Sequence, residues 1–457
     1  MWQRIRRAWP SGPIGFSAAR LESGDFTAAA SVTALGLPAT LLGATLALGG
    51  IPFNQLILAA PLAILLGGFL LGLAGRMASV TGTPGPWLLR PALGSAGSIP
   101  VVLSRLALTV GWAALIMQKA GAWAASAFEQ MGLTVGADPA IIGLGVLAAL
   151  LALTGPTFAV TVVMRRWLFW GSILLLFGLA WRLLSMPPGP STPASNSNFW
   201  GAFETLLTLG LIWLPFATDI GARGRREENT GNGLGYGFAV GALLAVWAGG
   251  AVLAKTGGLD RLDSLAPGAL GGLAVLVWVL VMEVDGAAAS GISSAFSLSA
   301  IIPKLPGWLG AVFAAVGATS LAVLFSADEL SQVIDLALVG AAVGAALFLS
   351  DAYLVRGRHY GADDMFRWRG VYGLFNWLGL LCWVLGAGFI LWARPVGPAP
   401  VVEFFSGLPG GDLGTSAPWL LVGMAAATGV YALTGRRRLG GRGRTFKMRG
   451  LQTARGL

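Results

Sequence analysis

Long apolar runs that carry almost no charge recur along this chain, and they constrain its fold more than any other feature. The run from Leu56 to Leu73 is continuously apolar, and windows of about 19 residues indicate twelve such segments. Their approximate bounds are 28–49, 55–75, 98–126, 139–163, 167–186, 198–218, 234–254, 267–299, 307–325, 330–350, 371–393 and 416–434. Because a helix of about 20 apolar residues crosses a bilayer, the sequence predicts an all-α integral membrane protein with about 12 transmembrane helices.

The composition excludes several other classes of protein. Only 11% of the 457 residues are charged, against about 25% in soluble domains, and a transmembrane barrel would alternate polar and apolar residues. The chain has one cysteine, Cys382, and one histidine, His359. It therefore cannot form an intrachain disulfide, and a catalytic or metal site built from histidines or thiols is not expected. We therefore expect no enzymatic activity and no cofactor.

The basic residues predict the orientation of the chain. Most of the 30 lysines and arginines fall in loops on one side, and the opposite loops hold only Lys255, Arg261 and Arg394. Since lysine and arginine concentrate in cytoplasmic loops, we expect a multi-pass protein of the cell (plasma or inner) membrane with both termini cytoplasmic. The net charge of +10 then reflects topology and lipid contact rather than nucleic-acid binding.

Two proline-containing spans occupy matching positions in the chain. Span 1 contains Gly36, Leu37 and Pro38, and span 6, five helices later, contains Pro215. Prolines free backbone groups, and paired interruptions of this kind point to the binding site in transporters built from inverted repeats. We therefore predict broken helices 1 and 6 that flank a site, although a simple proline kink without a ligand is the alternative reading of each.

This pattern divides the chain into four segments. They are a cytoplasmic N-terminal segment (1–26), a ten-helix transport core (27–350, with repeats at about 27–186 and 198–350), a connecting loop with helices 11 and 12 (351–435), and a basic cytoplasmic tail (436–457).

Ionisable residues inside span 8 sharpen the prediction, because such residues are costly in a membrane and usually line a cavity or pathway. Glu283 and Asp285 point about 200° apart on a helix, so they cannot share one site. Glu283 shares a face with Ser290, and a structural role for one of the two acids is an open alternative. Four charged residues lie nearer span ends, where we expect them to extend toward water: Arg105, Lys119, Glu204 and Asp335.

Two tryptophans are candidates for binding a flat substrate. Trp112 follows a glycine in span 3, and Trp213 lies just before Pro215 in span 6. Indoles stack on planar heterocycles, but the chain has 18 tryptophans, most of which belong to the core or the membrane interface.

Four groups of motifs stand out along the chain. They are Thr81-Gly82-Thr83-Pro84 with Gly94 and Gly97, Gly111-Trp112, Trp213-Leu214-Pro215-Phe216 with Asp219, and Asp351-Ala352-Tyr353-Leu354-Val355-Arg356 followed by Tyr360, Asp363, Asp364, Tyr372 and Asn376-Trp377. Together they resemble the nucleobase:cation symporter-1 family, which includes purine, cytosine, allantoin, hydantoin and thiamine-precursor permeases. The stretch that begins at Glu283 is most similar to that of hydroxymethylpyrimidine permeases. The resemblance implies a LeuT-like fold, in which a five-plus-five inverted repeat precedes two C-terminal helices.

The resemblance also implies a function and a site. We expect symport of a small planar heterocycle with Na⁺ or H⁺: a pyrimidine such as hydroxymethylpyrimidine or cytosine, or a related nucleobase. The substrate residues would be Trp112, Trp213, Ser290 and Glu283, and Asp285 would bind the coupling cation with carbonyls of Ala34, Gly36 and Leu37. The resemblance implies no other cofactor, and nothing in the sequence indicates an obligate protein partner.

Departures from the family pattern leave the substrate open. Ser290 stands where the family has asparagine, and Ile116 stands where some members have glutamine. An amino acid or amine carrier on the same fold is the main alternative, and a membrane enzyme or a channel fits the residues less well.

Overall fold

The computed structural model describes residues 9, 21–36, 39–40, 42–43, 46, 53–185, 198–256 and 269–435. Within these ranges, eight helices are long and apolar enough to cross a membrane, and three further apolar helices are shorter. The described part of the chain contains no strand, only one isolated bridge between Leu21 and Gly224. The predicted all-α membrane fold is confirmed.

The helices that correspond to the predicted spans are numbered here in chain order. They are α1 (Ser23–Ala34), α2 (Phe53–Thr81), α3 (Ile99–Gln130), α4 (Ala137–Leu153), α5 (Pro156–Arg182), α6 (Phe199–Gly221), α7 (Glu227–Thr256), α8a (Ala269–Met282), α8b (Val284–Ile301), α9 (Gly307–Leu324), α10 (Ala327–Leu349), α11 (Trp377–Ala393) and α12 (Trp419–Gly435). A wide π-helical segment, Ser350–Val355, extends α10.

The predicted boundary between spans 4 and 5 is wrong. The sequence analysis extends span 4 to residue 163, whereas α4 ends at Leu153 and α5 begins at Pro156. Gly155 between them has a φ of +85°, a backbone conformation that residues with a side chain rarely adopt. Pro156 follows it, and proline is favoured in the first turn of a helix. The turn contains no charged residue, so hydropathy alone does not separate the two helices.

The structure also changes the expected positions of the helix breaks. Helix α6 is continuous across Pro215, contrary to the predicted break, since a packed helix can lose one backbone donor without unwinding. The interruption lies instead in span 8, where Glu283 (φ −121°, ψ −32°) separates α8a from α8b. In span 1, α1 ends at Ala34, before Gly36, while Leu37 and Pro38 lie outside the described residues.

The helices pack into two groups. The most extensive contacts join α1, α2, α6 and α7 in one group, and α3, α4, α8b, α9 and α10 in the other. Between the groups the contacts are fewer, and they involve mainly α6 with α8b and α3. Any site between α3, α6 and α8b therefore lies at the boundary of the two groups.

Glycines let the backbones of the first group touch. A Cβ atom added to Gly210 would lie 2.6 Å from the Cα of Gly67, and one added to Gly221 would lie 2.8 Å from the Cα of Gly75. Close approach through small residues is a common way for membrane helices to associate, and it fixes α2 directly against α6.

The Asp351 motif forms a buried cluster where α10 ends. The Asp351 carboxylate accepts hydrogen bonds from the Tyr360 hydroxyl (2.7 Å) and the Tyr431 hydroxyl (2.8 Å), and from Nε of Arg356 (2.9 Å). Arg356 also donates to the carbonyl of Pro91. The cluster joins α10 to α12 and to the loop before α3, so its role is structural.

Candidate substrate site between two helix groups

Trp112 and Trp213 meet at the boundary between the two helix groups. Their ring centroids are 6.5 Å apart, and their planes are nearly perpendicular at 85°. Both are buried, with 7% and 4% of their surface exposed. The structure therefore brings the two predicted aromatic residues together, in an edge-to-face contact that indoles favour, with one indole from each group.

Gly286 on α8b lies close to Trp213 and to Ile116. A Cβ atom added there would lie 3.3 Å from Cδ1 of Ile116 and 3.5 Å from Cη2 of Trp213. Ile116 lies one turn after Trp112 on α3. Sequence reasoning did not select Gly286 as a site residue, because a residue without a side chain gives no chemical signal of its own.

Asp285 lies next to Gly286 but on a different face of α8b. It has no exposed surface, and neither carboxylate oxygen has a hydrogen-bond partner among the described residues. It is the second residue of α8b, where the partial positive charge of a helix N-terminus stabilises an anion. Helix α1 contacts α8b, so the carboxylate lies on a helix that packs against α1.

The other predicted residues belong to span 8 and to span 1. Glu283 is buried at the interruption between α8a and α8b, and Ala34 is the last residue of α1. Ser290 is buried one turn after Gly286, and its carbonyl accepts a hydrogen bond from the Ser294 hydroxyl. Ala34, Gly36 and Leu37 are the residues of span 1 predicted to bind the coupling cation. Gly36 lies beyond the end of α1 and is not helical, and Leu37 falls outside the described ranges.

A buried ion pair joins the same two helices as the tryptophans. Arg105 lies two turns before Trp112 on α3, and its guanidinium forms an ion pair with Asp219 at the end of α6. It also donates to the Thr218 hydroxyl, the Pro215 carbonyl and the Ser297 hydroxyl, each at 3.1 Å.

The expectation that Arg105 extends toward water is therefore wrong. The same holds for Glu204, which is buried and accepts hydrogen bonds from Arg394 (2.8 Å) and the backbone N–H of Leu420 (2.7 Å). In both cases the compensating partner comes from a distant helix or loop. Among the described residues, no group of three or more His, Cys, Asp or Glu side chains could hold a metal ion.

Comparison with solved structures identifies the fold. An inward-facing structure of Mhp1 matches with a TM-score of 0.69 at 17% identity, covering 94% of this chain and 93% of that chain. Mhp1 in a closed conformation with bromovinylhydantoin bound, described as a nucleobase-cation-symport-1 family transporter, matches with a TM-score of 0.70 at 17% identity, covering 94% and 98%. A substrate-bound, outward-open Na⁺-coupled sialic acid symporter matches with a TM-score of 0.62 at 11% identity, covering 95% and 96%.

The chain thus has the LeuT-like fold of membrane transporters, as the sequence resemblance implies. In particular, it has the fold of Mhp1, over nearly the whole length of both chains. Neither a family model nor a curated protein matches the sequence.

Proposed function

We propose that this protein is a secondary active transporter of the nucleobase:cation symporter-1 family, importing a small planar heterocycle together with a cation. The observation that carries the proposal is the contact of two buried indoles, Trp112 and Trp213, at the boundary of the two helix groups, with Gly286 next to the Trp213 ring. An aromatic-walled position between movable parts suits a flat ligand that must be released on either side.

Further support comes from the resemblance to Mhp1. That transporter has the same fold, and its closed structure holds bromovinylhydantoin, a flat heterocycle. The family motifs Gly111-Trp112 and Trp213-Leu214-Pro215-Phe216 provide the two tryptophans of this chain. The motifs and the contact between the two indoles therefore support the same pair of side chains.

The class of substrate that we favour is a pyrimidine or a related nucleobase. The nearly perpendicular indoles imply that one ring must rotate, or the two groups must separate, before both faces can stack on a flat molecule. Ser290 and Glu283 would supply the polar contacts. The buried Asp285 carboxylate also favours a second candidate, a cationic amine, because a buried anion gains from a paired cation.

Asp285 is the residue that we propose for cation coupling. Its buried carboxylate has no hydrogen-bond partner among the described residues. In the ionised form it would suit Na⁺, which prefers oxygen ligands, and in the neutral form it would itself carry the coupling proton. We expect Asp285→Asn to bind substrate but to lose accumulation against a gradient. If instead Glu283→Gln loses accumulation and Asp285→Asn does not, the roles of the two acids must be exchanged.

Uptake into proteoliposomes tests the proposal directly. The panel comprises labelled cytosine, hydroxymethylpyrimidine, a purine, a neutral amino acid and a cationic amine, with Na⁺ and pH gradients imposed separately. We expect saturable uptake of a heterocycle that depends on one of the two gradients. Uptake restricted to the amine or to the amino acid would reject the heterocycle proposal and retain transport.

The tryptophans are tested with a matched control. Removing one stacking indole costs about 1–3 kcal/mol, so Trp112→Ala and Trp213→Ala should each weaken binding at least about fivefold, while Trp112→Phe should retain part of it. Trp170→Ala is the control, because Trp170 on α5 is 61% exposed on the surface that would face lipid. Equal binding by all four variants would remove the tryptophans from the site.

The predicted orientation is part of the same proposal. Cys382 is buried, so labelling of a single cysteine introduced at Asp412 or at Thr453 reports which side of the membrane that position occupies. We expect an impermeant maleimide to label the cysteine at 412 only. Labelling at 453 would place the basic tail outside and reverse the topology.

A further inference from the structure

A cavity whose lining residues are all different from those of the tryptophan site opens among the loops that the charge pattern predicts to be cytoplasmic. Its volume is about 390 Å³, which falls in the range of small-molecule sites. It lies between the loop before α3, the end of α8b, the segment 303–306 and the start of α9. We call it the loop cavity.

The walls of the loop cavity are aromatic. Trp9, Trp87, Trp308 and Phe366 all line it. Trp87 stacks on Phe366 with centroids 4.9 Å apart and an angle of 26°. Trp9 lies against the start of α9, where a Cβ atom added to Gly307 would be only 2.6 Å from its ring. These contacts hold flat rings in place around the cavity.

Two cations line the same cavity, and no acidic residue does so among the described residues. Lys304 is exposed at its edge, and Arg90 is buried in its wall. Arg90 donates to the carbonyl of Met365 at 2.7 Å, and its guanidinium lies 5.7 Å from the centre of the Trp368 ring. Neutral carbonyls and a ring orient this cation but do not neutralise it.

The electrostatic consequence is an unbalanced positive charge. Burial lowers the pKa of Arg90 to about 10, so the group stays protonated near neutral pH although its desolvation is costly. Arg356 differs, because it pairs with Asp351. In addition, Nε1 of Trp9 is buried without a hydrogen-bond partner among the described residues. An anion with acceptor oxygens would supply what both groups lack.

We propose that the loop cavity binds a soluble planar aromatic anion, such as an aryl phosphate or an aryl carboxylate. The rings of Trp9 and Trp87 contact its aromatic part, while Arg90 and Lys304 bind its acidic group, since guanidinium matches phosphate and carboxylate geometry. Such a ligand would act from the side predicted to be cytoplasmic. The inference does not depend on the proposed transport activity.

Calorimetry on the full chain in detergent tests this site, with phenyl phosphate as the probe. Benzamide supplies the ring without the charge, and inorganic phosphate supplies the charge without the ring. We expect one phenyl phosphate per chain, weaker binding at high salt, and at least about tenfold weaker binding of either control. Equal binding of benzamide or of inorganic phosphate would overturn the proposal.

Variants locate the binding to the cavity. Trp9→Ala should weaken binding at least about fivefold, and Lys304→Gln about two- to fivefold. Trp9→Phe keeps a flat ring and should retain most of the affinity, which separates lost stacking from lost folding. Arg369→Gln is the control, because Arg369 is an exposed cation of the nearby loop that does not line the cavity.

Two results would refute the assignment. The first is unchanged affinity in both Trp9→Ala and Lys304→Gln. The second is competitive loss of phenyl phosphate binding when phosphatidylglycerol is added to the micelles, because the cavity would then be a lipid-headgroup site.

Discussion

The ion pair between Arg105 and Asp219 permits a quantitative test of how the two helix groups are held together. We consider Arg105→Met, Asp219→Leu and the double variant. Removing one partner leaves a buried charge without compensation, which costs about 3–5 kcal/mol. Arg105→Met would leave the Asp219 carboxylate buried without its cation, although the backbone N–H of Gly85 would still donate to it at 3.0 Å, so we place its cost within this range.

The double variant should cost far less than the sum of the single variants. It removes both charges and leaves mainly the Gly85 N–H without its acceptor, and an unsatisfied buried donor costs about 1–3 kcal/mol. The measurement is the free energy of unfolding from titration with sodium dodecyl sulfate in mixed micelles. Arg367→Met is the control and should cost below about 1 kcal/mol, because Arg367 is 72% exposed and 3.6 Å from Asp364.

Additive costs would contradict this reasoning. If the double variant loses as much stability as the two single variants combined, the two charges are not coupled in the folded protein. Single variants as stable as the Arg367→Met control would show that the pair is not buried.

Three further predictions concern other parts of the fold. Asp351→Asn should destabilise the end of α10 and increase deuterium exchange in α11 and α12, because it removes the charge that Arg356 faces. Gly241→Ala should lower the melting temperature, since the new Cβ would lie 2.3 Å from the carbonyl oxygen of Ser31, whereas Gly178→Ala, with nothing within 4 Å, should not. Gly286→Ala should weaken substrate binding at an unchanged melting temperature, because the added methyl group would lie 3.5 Å from the Trp213 ring and narrow the space beside it.

Hydropathy predicts most of this fold, because a bilayer imposes helices of a minimum length on any chain that crosses it. Hydropathy does not predict the turn at Gly155 and Pro156, because a tight turn between two apolar helices changes the backbone dihedral angles without adding a charged residue. Pro215 shows the converse limit: a residue that disfavours helix is tolerated when the surrounding helix is well packed.

The candidate site was only partly predictable, for a related reason. Trp112 and Trp213 could be selected because large aromatic residues beside a glycine or a proline are visible in the sequence. Arg105 could not be assigned correctly, because its environment depends on Asp219, which is 114 positions away. Gly286 contributes space rather than a functional group, and space is a property of the assembled helices.

The glycine contacts between α2 and α6 have a mechanical consequence. Where Gly67 meets Gly210, α2 and α6 touch through backbone atoms, with the Phe238 ring of α7 beside the contact. Such an interface offers few low-energy ways to slide or to repack, so α2 and α6 must move as a stiff unit. In the proposed transport cycle, deformation would then be directed to the boundary at Trp112 and Trp213, where side chains can rotate. The glycines at these helix contacts would in this way determine which part of the protein can bend.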